Sequence, residues 1–236
     1  MKSKYIKLSQ DKLRDKYHCY GHFYTLRINK NNLIKCRSVL EIVESNSTLD
    51  NGIMPTNNMP DAITIMMNPG GSEPDLPNIS QYIETIINDN FFNIDFMNKK
   101  LVRAIPDVTQ DRIMNVTGWK HVRILNLSDV REKNSTYLKD HLKKFEVALD
   151  SSIHSIFSPK RKAERELALC IEDMPLIIFG WGTEEYLEKI GEYAFKYITM
   201  DNKQKFVGIK QDNYNFYHPG RRENWHDNIL NQIYSL

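Results

Sequence analysis

The chain has 236 residues, 32 Lys+Arg against 30 Asp+Glu, a formal net charge of +2, and 41% hydrophobic and 11% aromatic residues. These proportions exclude a disordered, collagenous or coiled-coil chain. The near-neutral balance argues against bulk electrostatic capture of nucleic acid, which normally gives a strongly basic domain.

A chain of this length buries roughly 70–75% of its unfolded surface and needs no disulfide or metal to hold a core. Three cysteines, Cys19, Cys36 and Cys170, are an odd count without short spacing. They offer neither a disulfide framework nor a zinc pattern, and the expectation is no metal, no cofactor and a reducing compartment. The basic start Met1–Lys7 leads into no apolar segment of the signal-peptide kind. With no apolar run long enough to span a bilayer, a cytoplasmic protein is expected. The chain reads as one domain over 1–236, with a β-rich extension over 1–60 and an α/β core over 60–236.

In chain order, His22–Ile28 and Val39–Val43 are rich in aromatic and β-branched residues and predict an antiparallel pair. Residues 45–60, with Ser, Asn, Pro and Gly, predict a loop. Ala62–Met67 is a continuous apolar run broken by one Thr, as suits a strand buried on both faces. Ile79, Tyr82, Ile83, Ile86 and Ile87 have the spacing of a helix with one apolar face. His121–Leu127 predicts a second buried strand, and Leu138, Leu142, Phe145 and Leu149 a helix. Pro175–Gly182 predicts a third strand ending in a glycine turn. Thr183 then caps a helix carrying Leu187, Ile190, Ala194 and Ile198. Phe206–Ile209 predicts a short fourth strand, and Trp225, Ile229 and Ile233 a last helix. Strands alternating with helices predict an α/β fold with a parallel sheet, whose ligands bind at the carboxyl ends of the strands.

The polar residues at those ends are the candidates. Asn68-Pro69-Gly70-Gly71 is ordinary turn chemistry, or Asn68 holds a water or a polar ligand edge while the glycines let backbone N–H groups approach. Asn126 interrupts the apolar Ile124-Leu125-Asn126-Leu127; a buried amide must find partners, either backbone or the donor–acceptor edge of a ligand. His218 is either a solvated residue or a neutral imidazole placed to stabilise an anionic oxygen. Trp181 and Trp119 pack in the core or at a rim, or stack on bases. Lys160-Arg161-Lys162 and Arg221-Arg222 read as solvated helix ends, or as cations meeting phosphates or an acidic partner.

Taken in order, Asn68-Pro69-Gly70, Ile124-Leu125-Asn126, Gly180-Trp181-Gly182 and His218-Pro219-Gly220 resemble the motifs of the uracil-DNA glycosylase superfamily, over roughly residues 60–225. The Asn68 motif looks like that of the mismatch-specific thymine/uracil glycosylases. The whole chain, including Arg27–Glu44, more closely resembles a family carried on mobile chromosomal cassettes of Gram-positive bacteria, with members described as pseudo uracil-DNA glycosylases. The resemblance implies a three-layer α/β/α fold around a central four-stranded, mostly parallel sheet, with the N-terminal antiparallel strands as an extension. It implies that Asn68 positions water, that Asn126 reads the base with Pro69, Gly70 and Trp181 beside it, and that His218 stabilises the leaving base. It also implies a partner, the small acidic DNA-mimic inhibitor of uracil-DNA glycosylase that such cassettes encode.

Departures from the motifs point to weak or absent excision. Excision requires the base flipped out, a positioned water and stabilised charge. An amide at position 68 cannot act as a general base, and losing one such electrostatic element costs about 10²–10³ in rate. Where the last motif should supply an apolar wedge, the chain reads Arg221-Arg222-Glu223-Asn224. Directly after Pro69 the stretch Gly70–Asp75 holds no aromatic, and its Glu73 and Asp75 add negative charge. The reading is a binding protein that meets an acidic partner, or more weakly nucleic acid, through Arg221, Arg222, Lys160, Arg161 and Lys162. The alternatives are an active glycosylase or nucleotide hydrolase using Asn68, Asn126 and His218, or a structural protein of the cassette.

Overall fold

The computed structural model describes residues 8–29, 32–45, 53–54, 59–75, 84–87, 99–105, 108–149, 152–173, 175–200, 204–221 and 223–236. In chain order the elements are α1 (Gln10–Lys16), β1 (Tyr17–Asn29), β2 (Asn32–Glu44), β3 (Ile53–Met54), β4 (Ala62–Met66), β5 (Glu84–Ile87) and β6 (Leu101–Ala104). Then come α2 (Val108–Thr117), β7 (His121–Asn126), α3 (Ser135–Leu149), α4 (Lys162–Leu169), β8 (Leu176–Gly180), α5 (Glu188–Thr199), β9 (Phe206–Gly208) and α6 (Trp225–Ile233).

The apolar runs become the parallel strands. Every residue of β4 and β7 is buried, because helices cover both faces of this part of the sheet. β4 pairs in parallel with β7 on one side and β8 on the other, and β8 with β9, in the order β7-β4-β8-β9. Alternate side chains divide the core in two. On one face Ile63, Ile65, Leu125, Ile177 and Phe179 meet Leu138 and Phe145 of α3, Ala168 of α4 and Ala194 and Ile198 of α5. On the other, Ala62, Met66, Val122, Ile124 and Ile178 meet Leu13 of α1, Met114 of α2 and Trp225 and Ile229 of α6.

The antiparallel pair of β1 and β2 also forms, but not as an extension. Leu40–Val43 of β2 pairs antiparallel with His121–Ile124 of β7. Among the described residues the four parallel strands are therefore one end of a nine-stranded mixed sheet, ordered β3-β6-β1-β2-β7-β4-β8-β9 with β5 also on β1. A buried ion cluster fixes that seam. Glu41 of β2 accepts from Arg123 Nε and pairs with His121 Nε2 of β7, each at 2.7 Å, and Arg123 reaches on to the Ala168 carbonyl of α4 at 2.8 Å.

Three local expectations change. Glu84–Ile87 is a strand, not the end of a helix; it pairs in parallel with Tyr24–Arg27 of β1, while Ile79–Ile83 lie outside the described residues. The open edge of β1 offers backbone partners that a surface helix would leave unused. Within the expected loop over 45–60, Ile53–Met54 pairs with β6. Thr183 does not cap α5; a 3₁₀ turn over Glu185–Leu187 intervenes.

Candidate functional site

The motifs at the carboxyl ends of the parallel strands do converge. Gly180 closes β8 with no room to spare: a Cβ there would lie 3.4 Å from Met66 Sδ of β4 and from Pro219 Cδ, and 3.3 Å from the Trp225 ring. The 3₁₀ turn over Pro219–Arg221 is thereby seated against the ends of β4 and β8. The backbone of Phe216 accepts from Gly182 N at 2.7 Å, and His218 Cβ lies 3.8 Å from the Cβ position of Gly182, whose φ of +93° suits glycine alone. His218 Nδ1 accepts from Gly220 N at 3.1 Å, which places the proton of a neutral imidazole on Nε2.

Asn68 and Asn126 meet directly, but in other roles than the motifs imply. The Asn68 Nδ2 group donates to the carbonyls of Glu132 at 2.7 Å and Val130 at 3.0 Å. Both of its N–H bonds are therefore committed to the segment after β7. Asn126 is 0% exposed. With its amide oriented to satisfy both atoms, it donates to the main-chain carbonyl of Asn68 and accepts from the Arg37 guanidinium, each at 3.3 Å. Leu127 N and Ser128 N bond the carbonyls of Met66 and Met67 at 2.9 and 3.0 Å, prolonging the β4–β7 ladder to this point. Pro69 is buried, and Gly70, at φ +59°, makes the turn. The amides are thus structural clamps between two strand ends.

Trp181 is not a stacking platform. It is buried, its Nε1 donates to the Tyr214 carbonyl at 3.1 Å, and its ring packs on Phe179 and Phe216. Helix α5 passes it at Gly191, where a Cβ would lie 3.1 Å from the indole nitrogen. Trp119 is half-buried against the second core face. Of the basic clusters, Lys160 and Lys162 are exposed, Lys162 with Glu166 at 3.7 Å. Arg161 is buried and cannot meet a partner. Arg222 and the side chain of Arg221 lie outside the described residues.

A dense buried polar constellation around Arg161 was not foreseen. Arg161 grips Glu164 through Nε and Nη2, both at 2.7 Å, and donates Nη1 to Asp129 Oδ2 at 2.7 Å. Tyr24 OH donates to the same Asp129 oxygen at 2.9 Å. Lys99 Nζ bridges Glu164 at 2.6 Å and Ser38 Oγ at 2.7 Å, and His22 Nδ1 lies 2.8 Å from that hydroxyl. Burial pushes the Asp129 carboxyl up despite Arg161. Burial also acts upward on Glu164, but the charges of Arg161 and Lys99 outweigh it and hold that carboxyl well below its ordinary value. Burial, helped by the Lys99 charge, holds His22 well below the ordinary histidine value, so the ring stays neutral. The array ties β1, β2 and the segment after β7 to the start of α4. One sequence signal was present: Arg161 and Arg165 stand one turn apart, in line with Ala168 and Leu169, and all four are buried. Arg165 lies over the Tyr197 ring at 4.4 Å.

Among the described residues no three His, Cys, Asp or Glu side chains gather as a metal site requires, and no helix is long and apolar enough to cross a membrane. No family model, curated protein or solved structure matches the chain.

Proposed function

We propose that this chain is a binding protein on a uracil-DNA glycosylase-like scaffold, with weak or no uracil excision. The parallel order β7-β4-β8-β9, with the Asn68, Asn126, Gly180 and His218 motifs all at its carboxyl end, supports the scaffold. The observation that carries the loss of excision is the commitment of both Asn68 amide N–H bonds to the carbonyls of Val130 and Glu132. A side chain so held keeps only its amide oxygen to accept from an attacking water, and an amide oxygen is too weak a base to take up that water's proton, while the fully buried Asn126 has no face to offer a flipped base. The partner is a small acidic protein that presents carboxylates as DNA presents phosphates, met by Lys160, Lys162, Arg221 and Arg222. Arg161 is excluded from that surface by its burial.

Two measurements test this. Single- and double-stranded oligonucleotides containing uracil, incubated with the protein and then treated with alkali, should remain uncleaved; turnover to abasic product would overturn the loss of excision. Calorimetric titration with a DNA-mimic acidic protein should give heat that falls with added salt. Silence, or heat unchanged by Lys160→Ala/Lys162→Ala and Arg221→Ala/Arg222→Ala, would overturn the binding surface.

A further inference from the structure

A cleft of about 220 Å³ is lined by Phe23, Thr25, Lys35, Glu73, Pro74 and Arg131 among others. Its floor is β1. One wall is the loop at Glu73–Asp75, held to the β6 strand by Asp75 N to the Arg103 carbonyl at 2.8 Å and Ile105 N to the Glu73 carbonyl at 3.0 Å. The other wall is the segment at Asp129–Arg131, held to β2 by Arg37 N to the Asp129 carbonyl at 2.8 Å and Arg131 N to the Lys35 carbonyl at 2.9 Å. Asn68 braces the residues on either side of Arg131. Both walls are therefore set by backbone hydrogen bonds before any ligand arrives, which lowers the ordering cost of binding.

The charge inside is incompletely matched. The Arg131 side chain is only 9% exposed and lies over the Phe23 ring at 5.3 Å. Its Nε is buried without a hydrogen-bond partner among the described residues. The ion pair it makes, to Glu73 at 3.5 Å, is long, and that carboxylate is 59% exposed. Lys35, exposed at the rim, adds a second positive charge. Two cations thus face one loosely held carboxylate, and burial disfavours the charged guanidinium unless an anion accompanies it.

We propose that this cleft binds the oxyanion headgroup, phosphate or carboxylate, of a small molecule, with the Arg131 fork as the principal donor, Lys35 as a second cation and Glu73 as an internal occupant that the ligand displaces. A guanidinium fork matches such oxygens bidentately. The volume is smaller than the range typical of drug-sized ligands and suits a compact molecule. The site stands independently of the proposed acidic partner, since it uses none of the residues assigned to that surface.

The test is a nitrogen–proton correlation spectrum of the arginine Nε groups and backbone amides of the full chain. It is titrated in separate arms with inorganic phosphate and with acetate, at ionic strength held constant with chloride. Arg131 Nε–H and the amides of Thr25 and Arg131 should shift saturably, and the tighter arm identifies the headgroup. Glu73→Gln, which removes the competing carboxylate, should tighten the apparent Kd by about two- to fivefold. Lys35→Ala should weaken it, and Arg131→Gln should abolish the saturable shift at Thr25. Glu73 and Lys35 are exposed, so these two variants keep the test valid if Arg131→Gln fails to fold. No saturable shift with either anion in the native chain and in Glu73→Gln, or an identical response in Lys35→Ala, would overturn the proposal.

Discussion

The side-chain amide of Asn68 donates to the main-chain carbonyl of Glu132 at 2.7 Å, and the same nitrogen reaches the Val130 carbonyl at 3.0 Å. One side chain at the end of β4 thus spans the residue between them, Arg131, and ties down the chain leaving β7. An amide suits this place because it carries two N–H donors where two carbonyls point inward. A carboxylate would carry none.

Replacing Asn68 tests this bracing role. Asn68→Ala should lower stability by about 1–3 kcal/mol, since it strands partly buried carbonyls. Asn68→Asp should cost more at neutral pH, because the new carboxylate faces two carbonyl oxygens. Its folded-state pKa would then lie above the unfolded value, so the deficit should shrink as pH falls through the folded value. Urea unfolding at pH 7 and pH 4 checks both points. Equal midpoints for the native chain and Asn68→Ala would remove the brace.

The Arg161 array should behave as a buried ion-pair network. Arg161→Met leaves Asp129 and Glu164 without their shared cation and should cost about 3–5 kcal/mol. The double variant Arg161→Met/Asp129→Asn should lose less than the sum of the single losses, because one substitution removes the charge that the other strands. Strict additivity in denaturant midpoints would mean that the 2.7 Å contact carries no coupling.

Acid should unfold the protein in two windows. His22 stays neutral in the fold, pushed well below 6.5 by burial and then by Lys99. The unfolded chain therefore takes up the proton first, and stability falls as pH drops below about 6.5, by at most about 1.4 kcal/mol per pH unit. Below its ordinary 4.5, Glu164 acts with the same sign, since its folded pKa is depressed: stability present above 4.5 is lost as pH falls. His22→Gln, which keeps a partner for Ser38, should flatten the slope between pH 7 and 5 and leave the lower window unchanged. Urea midpoints against pH distinguish the two.

Trp181 should report on the core alone. Trp181→Ala should cost about 3–5 kcal/mol by opening a cavity beside Phe179 and Phe216. Trp181→Phe should cost less, losing mainly the bond to the Tyr214 carbonyl. Neither should alter the response of the Arg131 cleft to phosphate once the protein is folded. A stacking role would instead show as weakened ligand binding at unchanged stability.

The elements legible in advance were those whose signal is local. Ala62–Met66 is apolar but for Thr64, and Val122, Ile124 and Leu125 carry the strand signal of His121–Asn126; both strands are buried throughout. Of the expected helix face, Ala194 and Ile198 are buried on α5 and Ile190 is half-buried against the core, while Leu187 is buried in the 3₁₀ turn that precedes the helix. The stripe ending in Ile86-Ile87 misled because a short apolar run fits either period, and only the open edge of β1 settles it as a strand. Trp181 at a glycine turn could equally pack in the core, lie at a rim or stack on bases, because type and spacing say nothing of which helix covers a strand end.

The sequence by itself determined the α/β class, the antiparallel pair and the placing of the Asn68, Asn126 and Gly180 motifs at the ends of parallel strands, with the His218 motif in the loop beyond the last one, because hydrophobic period and turn chemistry act over a few residues. Only the tertiary structure decided what those motifs hold. Asn68 found the carbonyls of Val130 and Glu132, Asn126 found Arg37, and Arg161 found Asp129 rather than solvent. Each pairing joins residues tens of positions apart, and a polar side chain's role is set by whichever donor or acceptor reaches it once water is excluded, which no local pattern records.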